Sequence, residues 1–157
     1  MKPTASSPTS KDKKTKMKMK SFTTHSADET TELGRKLAGE LKPGSIVLLR
    51  GDLGAGKTTL VKGIAEGFHA AEAEAVTSPT FTLIHEYRGP EVTVFHIDLY
   101  RIDTQRQLDT LALDDLMEPN TILLIEWGEK FPRFAQERDV EIAIEHKGGD
   151  DRLIKIG

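Results

Sequence analysis

One stretch constrains this chain more than any other: residues 51–58 read Gly-Asp-Leu-Gly-Ala-Gly-Lys-Thr. This order fits G-x-x-x-x-G-K-[ST], the phosphate-binding loop (P-loop, or Walker A motif) of nucleotide-binding proteins. Its glycines let backbone N–H groups curl around a phosphate in conformations that a Cβ would obstruct. Lys57 can then reach the terminal phosphates, and the Thr58 hydroxyl is placed to bind Mg²⁺. The stretch therefore predicts nucleotide binding.

The flanking residues supply the strand and the helix that such a loop requires. A short apolar run at 45–49 leads directly into the loop and predicts a strand. After the loop, the spacing of apolar residues predicts a helix with one buried stripe, formed by Leu60, Val61, Ile64 and Phe68. The positive end of this helix's dipole would add to the attraction for phosphate.

Length and composition limit the classes of protein that this chain can belong to. Its 157 residues suit one domain with one core. It contains no cysteine, which excludes disulfides, thiolate metal sites and a cysteine nucleophile. No apolar run is long enough to span a bilayer, and no apolar segment follows the N-terminal charges as in a signal peptide. We therefore expect a cytoplasmic protein that does not contact a membrane.

Charge is distributed unevenly along the sequence. Residues 1–20 contain seven lysines and one aspartate, although the whole chain has a net charge of −3. We predict a disordered lysine-rich tail over 1–21 and a P-loop ATPase domain over 22–157. A basic tail can also bind nucleic acid. Because the rest of the chain is acidic, we expect it to meet RNA only through a partner protein.

The remaining pattern predicts an α/β domain. A strand at 22–25 and a helix that starts near Ser26 or Asp28 precede the loop region. Residues 70–75 read as a connection. Four further elements are expected: a hairpin from 81–87 and 92–98, a helix over 104–117, a buried strand over 121–127, and a hairpin from 140–145 and 152–156.

A P-loop also needs a carboxylate on a neighbouring strand to hold Mg²⁺, either directly or through water. Glu126 ends the apolar run 122–125, and Asp98 ends the run 94–97. We favour Glu126 as the metal-side group and Asp98 as the acid that orients or deprotonates the attacking water. The pattern alone leaves the reverse assignment open, and it also leaves open that either acid simply faces solvent.

Residues 78–82 follow the loop by one helix and one connection, where a nucleotide-sensing switch segment usually lies. An ordinary bend before a strand would give the same pattern. The predicted switch residues are Ser78, Pro79, Thr80 and Thr82. Trp127 is expected to face away from Glu126, because neighbouring side chains alternate along a strand. The histidines show no spacing typical of a metal site and are interpreted as surface or core residues.

Four motifs in a fixed order carry a family resemblance. They are the loop at 51–59, Ser-Pro-Thr-Phe-Thr-Leu at 78–83, His-Ile-Asp-Leu-Tyr-Arg at 96–101 and Ile-Glu-Trp at 125–127. Together they resemble the TsaE (YjeE) family, the ATPase subunit of the bacterial machinery that makes threonylcarbamoyladenosine in tRNA. The resemblance covers residues 26–156, and only the lysine-rich tail departs from it.

The resemblance implies a three-layer, P-loop NTPase-like α/β domain with a mixed central sheet. It implies ATP and Mg²⁺ as cofactors and slow ATP hydrolysis by the isolated protein. Two partners are implied, a threonylcarbamoyl-transferase subunit (TsaD-like) and that subunit's dimerisation partner (TsaB-like), with tRNA contacted only through the complex. Hydrolysis would reset this complex between turnovers.

The resemblance also implies roles for particular residues. Asp98 and Lys57 are implied in hydrolysis, and Thr58 and Glu126 as Mg²⁺ ligands. Thr30, in the family pattern T-x-x-L-G, is implied to lie beside the adenine, and Trp127 to border the nucleotide. The implied nucleotide-binding residues are Thr30, Asp52, Leu53, Gly54, Ala55, Gly56, Lys57, Thr58, Thr59, Glu126 and Trp127.

Two other functions stay open at the level of sequence. A small P-loop kinase would transfer the γ-phosphate to an acceptor, although no arginine-dense lid segment is evident. A nucleotide-gated binding module would use ATP only to order residues 76–82 for a partner. Because no N-K-x-D tetrad follows the loop, ATP is favoured over GTP as the nucleotide.

Overall fold

The computed structural model describes residues 19–52, 55–72, 76–77 and 83–157. Three sets of predictions lie outside these residues: the tail up to residue 18, Leu53 and Gly54 of the loop, and the switch segment at 78–82. Within the described residues, no helix is both long and apolar enough to cross a membrane.

A mixed β-sheet forms the centre of the described fold. Its strands are β1 (Lys20–Thr24), β2 (Ile46–Gly51), β3 (Ala71–Glu72), β4 (Val76–Thr77), β5 (Leu83–Arg88), β6 (Thr93–Asp98), β7 (Thr121–Glu126), β8 (Val140–His146) and β9 (Arg152–Ile156). The order across the sheet is β1-β9-β8-β2-β7-β6-β5-β3, and β4 also pairs with β5. The central strands β8, β2, β7 and β6 are parallel, whereas the outer pairs are antiparallel. Both predicted hairpins and the mixed sheet are confirmed.

Helices cover both faces of this sheet and complete three layers. They are α1 (Ala27–Ala38), α2 (Lys57–Gly67), α3 (Gln105–Thr110) and α4 (Pro132–Glu137). One core cluster joins Leu37 of α1 and Ile64 of α2 to the sheet, and the other joins Leu108 of α3 and Phe134 of α4 to its opposite face. The predicted stripe on α2 is buried in the first cluster, with Phe68 packed against it. The α/β class is therefore confirmed.

Helix α1 begins where the sequence predicted and packs tightly on α2. Ser26 is its N-cap, and the serine side chain accepts a hydrogen bond from the Glu29 backbone N–H. At the crossing, a Cβ on Gly34 would lie 2.6 Å from the Leu60 carbonyl oxygen, and one on Gly63 would lie 2.3 Å from the Thr31 carbonyl oxygen. The two helix backbones therefore touch at these glycines. This contact explains why a glycine follows Leu33 in the T-x-x-L-G pattern.

Residues 104–117 do not form the single helix that the sequence predicted. α3 ends at Thr110, Ala112 has a left-handed φ of 49°, and a separate 3-10 helix covers Leu113–Leu116. Leu108 and Leu113 both belong to the second core cluster. A continuous helix would separate residues at this spacing by about 140°, so the break is what buries both leucines on one side.

Three smaller differences concern element ends and short elements. The connection predicted over 70–75 contains the two-residue strand β3, which pairs with β5. Helix α4 begins with Pro132 in its first turn and was not predicted. The strand expected over 121–127 ends one residue early, because Trp127 takes a left-handed φ of 66°.

Candidate functional site

The predicted phosphate loop lies at the edge of the sheet where parallel strands end. β2 stops at Gly51 and α2 begins at Lys57, so the loop joins the strand directly to the helix N-terminus. Gly56 is the N-cap of α2 and has a left-handed φ of 99°, a conformation that favours glycine. The first N–H groups of α2 have no partner within the helix and point toward this edge. An anion placed there would meet both these donors and the helix dipole.

Lys57 is almost fully buried, with 7% of the residue exposed. Its Nζ donates a hydrogen bond to the Gly51 carbonyl oxygen and lies 2.9 Å from Glu126 Oε1. Glu126 is the last residue of β7, and the β2–β7 register pairs it with Leu49. The predicted phosphate-binding lysine and the predicted metal-side carboxylate are therefore in direct contact.

His96 holds the other oxygen of the same carboxylate. Its Nε2 donates to Glu126 Oε2 at 2.5 Å, and both residues are 7% exposed. On its far side the His96 ring stacks on the ring of His85, with 6.0 Å between the ring centroids. Glu126 is thus fixed from two sides, by a lysine of α2 and a histidine of β6.

These contacts keep Glu126 ionised. Burial acts to raise the pKa of its carboxyl group, but the hydrogen bonds to His96 and Lys57 and the positive charge beside it outweigh burial and hold the pKa below its ordinary value. An ionised carboxylate at neutral pH is the form that can accept from Lys57 or bind a divalent cation.

Asp98 lies on the neighbouring strand at the same edge. The β6–β7 register pairs it directly with Glu126. One carboxylate oxygen, Oδ1, accepts a hydrogen bond from the Tyr100 backbone N–H at 2.9 Å. Asp98 is half-buried, whereas Glu126 is buried. The structure therefore brings the two predicted carboxylates together and gives them different surroundings.

Trp127 packs on the face of the sheet opposite to Glu126, in the cluster that contains Ile125. Its ring nevertheless remains near the site, since Lys57 Nζ lies 5.9 Å from the ring centroid. Tyr100 lies beside it at 5.3 Å between centroids and is 53% exposed. The two rings form an aromatic border to the site.

The other predicted nucleotide-binding residues differ in exposure. Thr30 is 2% exposed, and its hydroxyl is hydrogen-bonded to that of Thr24 at 2.7 Å. Asp52 and Thr58 are exposed and Thr59 is half-buried. Thr58 is the second residue of α2 and therefore lies in its first turn.

Two residues of the site were missed by the sequence analysis. His96 was interpreted as a surface or core histidine, although its position two residues before Asp98 places both on one face of β6. Arg152 of β9 donates to the Ala55 carbonyl oxygen of the loop. No motif or spacing pointed to this contact.

Comparison with known proteins supports the resemblance seen in the motifs. The family described as threonylcarbamoyl adenosine biosynthesis protein TsaE matches residues 24–154. The tRNA threonylcarbamoyladenosine biosynthesis protein TsaE of Bacillus subtilis is 36% identical over 138 residues, which is 88% of this chain and 85% of that protein. The protein of the same name from Rickettsia conorii is 37% identical over 134 residues, or 85% of this chain and 75% of that protein.

A solved structure shows the same fold. The crystal structure of YdiB from Bacillus subtilis aligns with a TM-score of 0.66 and 32% identity, covering 88% of this chain and 84% of that one. This chain therefore belongs to the TsaE family of tRNA threonylcarbamoyladenosine biosynthesis proteins.

Proposed function

We propose that this chain binds ATP with Mg²⁺ and hydrolyses it, and that hydrolysis serves the threonylcarbamoyl modification of the adenosine next to the anticodon in tRNA. The observation that carries the proposal is the contact of Lys57 Nζ with the Glu126 carboxylate, 2.9 Å apart at the N-terminus of α2. A buried cation, a buried ionised acid and a set of helix N–H groups at one sheet edge suit the charges of a metal-bound nucleotide.

Each group at this edge has a part in binding. Lys57 would turn its ammonium group from Glu126 to the β- and γ-phosphates, and Gly56 together with the first turn of α2 would offer backbone N–H groups to the same oxygens. The aromatic border of Tyr100 and Trp127 would lie beside the bound nucleotide. Thr30, which the family pattern places beside the adenine, would have to release its hydrogen bond to Thr24 to contact the base through its hydroxyl.

The residues present fit a magnesium ion that arrives with the nucleotide. Among the described residues, no group of three or more His, Asp or Glu side chains could hold a metal without help. Mg²⁺ usually takes one or two protein oxygens and completes its shell with phosphates and water. The Thr58 hydroxyl and the Glu126 carboxylate would supply those protein oxygens. The ion itself would neutralise charge on the phosphates.

Asp98 would act on the attacking water. Its carboxylate would orient the water and accept its proton while the water oxygen bonds to the γ-phosphorus and the bond to the bridging oxygen breaks, which leaves ADP and phosphate. Residues 78–82 would respond to the γ-phosphate as a switch.

Two partner subunits complete the proposal. We assign the chain to a complex with a TsaD-like threonylcarbamoyl-transferase subunit and its TsaB-like dimerisation partner, in which ATP hydrolysis resets the complex between turnovers. Family membership supports this assignment. The excess of acidic residues outside the N-terminal lysines supports contact with tRNA through these partners rather than directly.

Phosphate release by the purified protein tests the proposal, measured alone and with the two transferase subunits, with and without Mg²⁺. We expect slow release that the subunits accelerate and that requires Mg²⁺. No release under any of these conditions would refute the ATPase proposal and favour a binding module. Transfer of the γ-phosphate to an acceptor, with no free phosphate, would indicate a kinase.

Variants locate the reaction in the site. Lys57→Ala is expected to weaken nucleotide binding and abolish release, whereas Lys62→Ala, an exposed lysine on the same helix, should leave both unchanged. Asp98→Ala should keep ATP affinity and lose release, because an acid that orients water contributes little to ground-state binding. If Asp98→Ala instead loses Mg²⁺-dependent affinity and Glu126→Ala does not, the two carboxylates have the reverse roles.

A further inference from the structure

Arg152, the first residue of β9, contacts the phosphate loop from the other end of the sequence. Its Nε donates to the Ala55 carbonyl oxygen at 2.8 Å, across 97 residues. Its Nη1 donates to the carbonyl oxygens of Gly149 and Asp151 at 2.9 and 3.0 Å. The side chain is half-buried. One guanidinium group therefore ties the β8–β9 turn to the loop.

The contact with Ala55 fixes the direction of one peptide group in the loop. In a trans peptide the carbonyl and the following N–H point to opposite sides. A carbonyl held by Arg152 therefore turns the Gly56 N–H away from the guanidinium. On the near side the guanidinium lies close to Gly56, since a Cβ built on this glycine would lie 3.4 Å from Arg152 Nε, in van der Waals contact. The Ala55 N–H is already used, because it donates to the Asp52 carbonyl oxygen at 3.0 Å.

Arginine suits this position for two physical reasons. Its planar fork of donors can serve three carbonyl oxygens at once, which the single ammonium group of lysine cannot do with the same geometry. The three acceptors are uncharged, so these hydrogen bonds leave the positive charge of Arg152 beside the loop. The nearby Asp151 carboxylate lies 2.9 Å from His25 Nδ1.

We propose that Arg152 is a positioning residue for phosphate binding, which holds the Ala55–Gly56 peptide with its N–H toward the phosphates and places a positive charge behind the loop. The inference rests on the proposed binding of ATP at residues 51–59. It adds a residue that lies outside the P-loop motif and the other three motifs. A purely structural role would be limited to bracing the β8–β9 hairpin.

Pyrophosphate is the most direct probe, because it contacts the loop without a nucleoside. We would measure its affinity and that of ADP by isothermal titration for the wild type, Arg152→Gln and Arg152→Lys. The matched control is Lys155→Gln, an exposed residue on the same strand. Loss of a charge-assisted hydrogen bond predicts that Arg152→Gln binds both ligands about tenfold more weakly. Arg152→Lys, which keeps the charge, should show an intermediate loss, and the control should match the wild type.

Several results would overturn the inference. If Arg152→Gln binds both ligands with wild-type affinity, Arg152 has only a structural role, whether or not the melting temperature of the variant is lower. Weaker binding of ADP with unchanged pyrophosphate affinity would place its action at the nucleoside. If Arg152→Gln does not fold, the Arg152→Lys variant tests the inference instead. Wild-type affinity of Arg152→Lys for pyrophosphate would then refute positioning by the arginine side chain. The titrations of the wild-type protein test the proposed nucleotide binding separately from the role of Arg152.

Discussion

A Gly63→Ala substitution, at the point where α2 touches α1, would change the stability of the protein in two opposing ways. Alanine is a better helix former than glycine by about 1 kcal/mol, which favours Gly63→Ala. A Cβ at this position would, however, lie 2.3 Å from the Thr31 carbonyl oxygen and 3.1 Å from Gly34 Cα. Both obstacles are backbone atoms, so no side chain can rotate away to relieve the overlap. The two helices have to separate.

The size of the effect follows from these distances. Overpacking of a well-packed core costs about 1–3 kcal/mol, and a backbone-to-backbone overlap belongs at the upper end. Taking about 3 kcal/mol for the overlap and about 1 kcal/mol for the gain in helix propensity, we expect Gly63→Ala to lower the free energy of unfolding by about 2 kcal/mol. In a domain of this size that corresponds to a melting temperature roughly 4–8 °C lower.

Urea denaturation and scanning calorimetry would measure this loss. Lys62→Ala, the exposed neighbour on α2, is the control and should change stability by no more than about 0.5 kcal/mol. Gly34→Ala tests the same contact from α1 and should also destabilise, because its Cβ would lie 2.6 Å from the Leu60 carbonyl oxygen. A Gly63→Ala protein as stable as the wild type, or more stable, would show that helix propensity dominates and that the helices are not in backbone contact.

Three further predictions concern the polar contacts. His96→Ala should lower ATP hydrolysis about tenfold in a phosphate-release assay, because removal of a partner that orients a metal-side ligand typically has that effect. An unchanged rate would mean that Glu126 keeps its orientation without His96. The pKa of the Glu126 carboxyl group is lowered from its ordinary value of 4.5, so the ionised group stabilises the fold at pH values above 4.5. That stabilisation is lost as the pH falls through the pKa of the folded state. Urea titrations should therefore show a stability gap between wild type and Glu126→Gln that narrows below pH 4.5, and a constant gap would contradict this. The hydrogen bond to Asp151 raises the pKa of His25 above 6.5. The pair therefore stabilises the fold at pH values below 6.5, and this stabilisation is lost as the pH rises through the pKa of the folded state. NMR titration of the imidazole should show the pKa falling toward 6.5 in Asp151→Asn, and no change would argue against the pair.

Local patterns were sufficient for the elements around the loop. A strand, a glycine-rich turn and a helix follow each other without interruption, and each has its own signal in apolar spacing or glycine content. The continuous apolar run before Glu126 predicted a strand buried on both faces, and every residue of β7 is buried. These features depend on residues that are close together in the sequence, so they can be predicted from the sequence alone.

Long-range pairing accounts for what the sequence did not predict. His96 meets Glu126 only because β6 and β7 pair in a particular register. Arg152 reaches Ala55 only because β9 and β8 lie beside β2 in the sheet order. The break at Ala112 arises from the need to bury Leu108 and Leu113 together, which the helix-forming pattern of 104–117 does not show. Each depends on tertiary structure rather than on local preference.

The hydrogen bond between Arg152 and Ala55 has a consequence for the synthesis of the protein. A ribosome must add 97 residues after Ala55 before the guanidinium that holds this carbonyl exists. The loop residues therefore leave the exit tunnel well before Arg152 is available to contact them. We expect a nascent chain to bind nucleotide weakly until β9 has paired in the sheet. Nucleotide capture would then mark chains whose sheet is finished, and by mass action it would favour that folded form over partly assembled ones.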